Sequence, residues 1–242
     1  MCTKDFNDFR TIQLDFKNIG IDPTSVEIEA ITIYKNELWF TDESTSNHRL
    51  YSYNLNSRQL DTIYSGPYLD EDTTSFGMEG ITVDSINRIC YVLKEKNYKN
   101  QSVIRVFKIL ELENRVHLEF IRNIYIELPD IRWRYSDLCF NANDNYLYCL
   151  KTRKGKYKID TIYASNLHER GDITIPLKKN NEFKDISQTI NSYGKTGYDT
   201  NMEGLVMTTE AIYVVSDNAQ TKNLNCATPG QKKTLLIKIP IK

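Results

Sequence analysis

Met78-Glu79-Gly80-Ile81-Thr82-Val83, followed six residues later by Ile89-Cys90-Tyr91-Val92, is a two-strand phrase that the chain repeats. The other copies are Glu29-Ala30-Ile31-Thr32-Ile33 with Leu38-Trp39-Phe40, Ser136-Asp137-Leu138-Cys139-Phe140 with Leu147-Tyr148-Cys149-Leu150, and Glu203-Gly204-Leu205-Val206-Met207 with Ile212-Tyr213-Val214-Val215. Each opens on an acid or serine, passes a small or polar residue, and enters an apolar strand. The starts at 29, 79, 136 and 203 lie 50, 57 and 67 residues apart, and the last unit, wrapped through the chain ends, spans 68. Units of this size match four-stranded propeller blades with generous loops. The expected fold is all-β: a small β-propeller of four blades, each of four antiparallel strands, forming a single domain over residues 1–242.

The first unit shows the strands best. Ala30 to Tyr34, Glu37 to Thr41, Arg49 to Asn54 and Gln59 to Tyr64 are separated by Lys35-Asn36, Ser44-Thr45-Ser46-Asn47 and Asn56-Ser57, residue types that favour turns. The second unit continues with Ser102 to Ile109 and His117 to Ile126, the third with Lys158 to Ser165 and Asp172 to Pro176. Leu177 to Thr200 is polar and irregular and reads as a long loop. The fourth unit supplies three strands, ending with Thr234 to Ile239. The alternating run Arg10 to Phe16 is expected to add the missing outer strand and close the ring, which removes an open edge.

Composition suits a packed core, with 40% hydrophobic and 26% charged residues. The 16 tyrosines favour sheets over helices. A formal charge of −1 gives no global field to recruit a nucleic acid polymer or a membrane surface. Five cysteines without CxxC spacing make neither a disulfide framework nor a zinc site, and Cys90, Cys139 and Cys149 read as small buried hydrophobes. No apolar run is long enough for a transmembrane segment. Two compartments fit the start of the sequence. One is the cytoplasm. The other is a periplasmic or surface lipoprotein whose signal has been trimmed before Cys2.

Inner strands of a propeller line its axis, so Glu29, Glu79, Ser136 and Glu203 are expected to converge. Carboxylates brought close cannot all stay ionised without compensation. A hard cation, Ca²⁺ or Mg²⁺, held by these four oxygen-bearing residues is one solution. The other is that each acid caps a strand or pairs with a neighbouring Lys or Arg. The loops at the same mouth carry Lys94, Arg132, Trp133, Arg134, Lys151 and Arg153, cations around a stacking surface that suit an anionic small molecule. Acid–base candidates are few. They are His48 in a mouth loop beside Asp42, and Asp42 and Asp217, which follow their second strands at similar places.

Met78-Glu79-Gly80-Ile81-Thr82-Val83 and Asn201-Met202-Glu203-Gly204-Leu205, with Tyr213-Val214-Val215-Ser216-Asp217-Asn218, resemble the phytase-like esterase propellers. The mixture of Glu-aliphatic and Ser-Asp-Leu starts is also similar to the calcium-activated apyrases. That resemblance covers about ten residues in each unit and implies that Glu29, Glu79, Ser136 and Glu203 face a metal. The resulting expectation is a metal-dependent hydrolase of a phosphorylated or ester-containing small molecule. Two alternatives stand beside it: a non-catalytic module that binds or sequesters an anionic, nucleotide-like ligand, and a protein-interaction platform with a structural ion.

Overall fold

Asp and Asn side chains close the hairpins by accepting backbone N–H groups just beyond each strand. Asn54 accepts from Asn56 and Ser57, Asp84 from Ile86 and Asn87, and Asn141 from Asn143. Between these turns, β-branched and aromatic residues form strands that face other sheets on both sides. The computed structural model describes residues 12–42, 47–67, 77–112, 115–165, 167–176, 182–194, 201–216 and 236–241.

Four sheets stand around an axis as a four-bladed β-propeller. Blade 1 is β1 (Ile28–Tyr34), β2 (Glu37–Asp42), β3 (Asn47–Asn54) and β4 (Leu60–Pro67). Blade 2 is β5 (Met78–Asp84), β6 (Ile89–Lys94), β7 (Gln101–Leu112) and β8 (Arg115–Glu127). Blade 3 runs through β9 (Arg134–Asn141), β10 (Tyr146–Arg153) and β11 (Lys156–Tyr163). The chain then crosses to blade 2, where β12 (Ile173–Ile175) pairs in parallel with β8. It returns to blade 3 as β13 (Glu182–Asp185), which precedes helix α1 (Ser187–Gly194). Blade 4 is β14 (Met202–Met207), β15 (Ala211–Ser216) and β16 (Leu236–Pro240).

Three seams between blades are packed cores. Trp39, Leu50, Met78, Val92 and Phe107 join blades 1 and 2; Tyr91, Leu93, Ile104, Leu138 and Leu147 join blades 2 and 3; Leu150, Ile159, Leu205, Ile212 and Val214 join blades 3 and 4. Each fully buried Leu, Ile or Phe contributes about 1.5–3 kcal/mol. Cys90 and Cys149 are buried in these seams and Cys139 is half-buried, all with free thiols. Side-chain hydroxyls also stitch one blade to the next. Thr41 Oγ1 donates to the Met78 carbonyl, Thr82 Oγ1 accepts from Phe140 N, and Ser136 Oγ donates to the Met202 carbonyl.

Two outer-strand expectations change. Ile173–Ile175 does not complete blade 3 but covers the long edge of β8, anchored where Asp172 Oδ1 accepts Asn123 N at 2.7 Å. The outer strand of blade 3 is instead Glu182–Asp185, inside the stretch read as a loop. The described part of the expected closing strand, residues 12–16, joins no ladder. Phe16 opens a 3-10 turn, Phe16–Ile19, and its ring packs on Tyr51 and Phe40 at centroid distances of 5.3 and 6.2 Å. Burying that ring against blade 1 takes the segment off the strand path, and Gly20, at φ 75°, ends the turn. Inner strands pack β1 on β5, β5 on β9 and β9 on β14. Among the described residues no core cluster joins blade 4 to blade 1.

Candidate functional site

The four repeat-opening residues share one structural position. The ladder slips at the entry to each inner strand: between Met78 and Gly80, between Tyr135 and Asp137, between Met202 and Gly204, and across Glu29-Ala30. Glu79, Ser136 and Glu203 are the residues passed over, and Glu29 lies in the same step of β1. A bulge re-aims its side chain out of the pleat. Glu29, Glu79 and Glu203 thereby line one cavity of about 300 Å³ with Asp137, Ile31, Leu205, Val206, Tyr213, Val215, Ser216 and Leu236.

Ser136 does not join them. It is 0% exposed, turned to the Met202 carbonyl, and the next residue, Asp137, brings the carboxyl of blade 3 to the cavity. Asp137 Oδ1 accepts Leu138 N at 2.7 Å and Oδ2 accepts Leu205 N at 2.6 Å. Burial pushes this carboxyl well above the ordinary carboxylate range; the two N–H groups oppose that shift and Glu203 adds to it. Room for it comes from Gly80, where a Cβ would lie 2.8 Å from Asp137 Oδ1.

Arg134 compensates the acids. Its guanidinium pairs with Glu203, reaches Glu95 Oε1 at 3.6 Å, and donates to Asn201 Oδ1 at 3.2 Å and Thr152 Oγ1 at 3.3 Å. Burial works against its charge, but Glu203, Glu95 and Glu79 together hold it more firmly protonated than usual. Among the described residues no group of three or more His, Cys, Asp or Glu has metal-binding geometry. With Ser136 turned away and a guanidinium among the carboxylates, the four expected ligands do not fit Ca²⁺ or Mg²⁺, and no chemical step follows from such an ion.

The other expected residues disperse. Arg132 is exposed and held at 2.8 Å by Asp130, and Arg153 reaches the same carboxylate at 3.4 Å. That pairing drives the Asp130 carboxyl far below its usual range. Trp133 is buried in the seam of blades 2 and 3, with Lys151 and Arg153 over its ring at 5.6 and 5.8 Å. Lys151 is locked to Asp160 Oδ2 at 2.5 Å, an oxygen that also takes the Tyr135 hydroxyl at 2.5 Å. Lys94 is 2% exposed at the end of β6. None of these cations lines the cavity, so the expected clamp for an anion is not assembled among the described residues.

Asp42 is a strand anchor: it is buried, Oδ1 accepts Glu27 N at 3.1 Å and Oδ2 accepts the Tyr51 hydroxyl at 3.1 Å. The His48 backbone, in β3, pairs with Gly66 of β4, but its side chain and the whole of Asp217 lie outside the described residues. Sequence reasoning missed Asp137 and Glu95. The signal for Asp137 was the Gly or Ala after each Glu, which the third unit replaces with a carboxylate.

No protein-family model matches the sequence, and no curated protein matches it at a significant level. Solved structures match in fold. An engineered GH43 glycoside hydrolase with endo-xylanase and exo-arabinofuranosidase activity gives a TM-score of 0.51 at 7% identity, over 91% of this chain and 43% of that one. The periplasmic gluconolactonase of Pseudomonas aeruginosa gives 0.40 at 7% identity, over 71% and 44%. The β-propeller domain of the trilobed protease of Pyrococcus furiosus gives 0.36 at 10%, over 83% and 51%. The chain spans about half or less of each of these proteins, and likeness at such identities concerns the fold alone.

Proposed function

We propose that the protein is a hydrolase of a small ester-containing molecule, working at the axial cavity. Asp137 donates the proton to the leaving group and Glu203 orients and activates the attacking water. The observation that supports this is the contrast between two carboxyls in one cavity. Burial favours the protonated form of Asp137, while Arg134 compensates a charged Glu203. Carboxyls held in opposite protonation states are the requirement for paired acid and base work. A phosphorylated substrate fits less well, because the described lining holds four carboxyls and no cation.

A panel of nitrophenyl carboxylate esters and phosphoesters, assayed with and without chelator, tests the reading. Carboxylate esters should be cleaved, with kcat lowered about 10²–10⁴-fold in Asp137→Asn and Glu203→Gln. Activity should also fall as pH rises through the raised range of Asp137. Phosphoester cleavage that disappears with chelator would replace this reading with the metal-dependent one.

A second reading, a binding module without turnover, is favoured by one observation: both Asp137 oxygens already accept backbone N–H groups. Saturable ligand binding without product release decides for it.

A further inference from the structure

The cavity lies where blade 4 faces blade 1, and its walls differ from the other seams. Along β14 to β16, Leu205, Ile212, Val214, Ile237 and Ile239 turn into the core shared with blade 3. The residues between them turn the other way: Val206 opposite Tyr213, and Val215 opposite Leu236. Val206 and Leu236 are each 55% exposed there, and Ile31 of β1 is 62% exposed. The equivalents of Ile31 in the other blades, Ile81, Leu138 and Leu205, and those of Leu236, Leu50, Ile104 and Ile159, are all buried. The slot therefore combines an apolar, aromatic wall with an end formed by Glu29, Glu79, Asp137 and Glu203. One guanidinium, that of Arg134, is shared there among Glu203, Glu95 and Glu79.

We propose that this slot binds a small organic cation with an apolar body, an amine or quaternary ammonium compound. The inference rests on the axial cavity being the working site and names the class of molecule it selects. The charged end of the ligand lies against Glu29, Glu79 and Glu203, and its hydrocarbon part covers Ile31, Val206 and Leu236. A low-dielectric wall strengthens the attraction to the carboxylates. Tyr213 adds an aromatic side chain to the wall of the slot. An anion of the same shape meets repulsion from the same carboxylates, so the charge sign decides selectivity.

Calorimetric titration of the full chain with phenethylammonium, 2-phenylethanol and phenylacetate tests this, since the three differ in charge at nearly constant size. Phenethylammonium should bind at least tenfold tighter than the alcohol, weaken as salt rises, and compete with ester turnover; phenylacetate should not bind. Val206→Lys, at an exposed wall position, should weaken phenethylammonium at least tenfold, and Leu236→Lys serves if that variant does not fold. Equal or tighter binding of phenylacetate, no binding of phenethylammonium at millimolar concentration, or indifference to both lysine variants overturns the proposal. The two readings fail separately. Cation binding without any ester cleavage removes the hydrolase and leaves the slot, whereas cleavage of neutral esters that phenethylammonium does not inhibit removes the slot's selectivity and leaves the hydrolase.

Discussion

Asp137 and Arg134 carry the charge logic of the axis. Asp137 has a folded-state pKa raised above that of the unfolded chain, so its protonated form suits the native state and native stability falls as pH rises past about 4 toward the raised value. Asp137→Asn does not titrate and cannot accept both Leu138 N and Leu205 N. It should cost about 1–3 kcal/mol. That deficit is largest at pH 4 and shrinks toward pH 8, and urea unfolding of both proteins at the two pH values measures it. Arg134→Gln leaves Glu203, Glu95 and Glu79 facing one another. It should cost about 1.5–3 kcal/mol at pH 7, partly recovered near pH 4 where carboxylates take up protons. A variant equally destabilised at both pH values would show that Arg134 acts through packing alone.

At the level of strands, the repeated phrase encodes a bulge as well as a strand. The equivalence of Glu29, Glu79, Ser136 and Glu203 was legible because four copies of one phrase occupy one topological position. What those side chains meet was not. The Glu203 partner of Arg134 lies 69 residues away in the next blade, and no local pattern announces it. Ser136 misled because the phrase aligns it with the glutamates, while the bulge hands the carboxyl role to its neighbour. Strand β13 was illegible for a different reason. Glu182-Phe183-Lys184-Asp185 has one apolar side chain, and its Phe183 packs edge-on against Tyr148 at 5.1 Å. The glycine after Glu79 is a steric requirement. A Cβ at Gly80 would meet Leu138 Cδ2 at 2.7 Å and Leu138 N at 3.0 Å, and backbone cannot move aside cheaply. Gly80→Ala should therefore destabilise by about 1–3 kcal/mol, read from the thermal midpoint, and should disturb Asp137 as well as the core.

At the scale of the molecule, the described residues pack three seams and leave the cavity in the fourth, which explains why the site lies where it does. A four-bladed ring has a narrow axis, and the blade 4 to blade 1 seam extends that axis into a slot. Propeller symmetry brings residues distant in sequence to this one place. Carboxyl-selective carbon NMR of Asp137, titrated in wild type and in Glu203→Gln, tests that convergence without requiring any ligand. Asp137 should titrate well above the ordinary carboxylate range in wild type and move down, though not fully to ordinary values, once Glu203 is neutral. An Asp137 that titrates near pH 4 in both proteins would contradict that convergence.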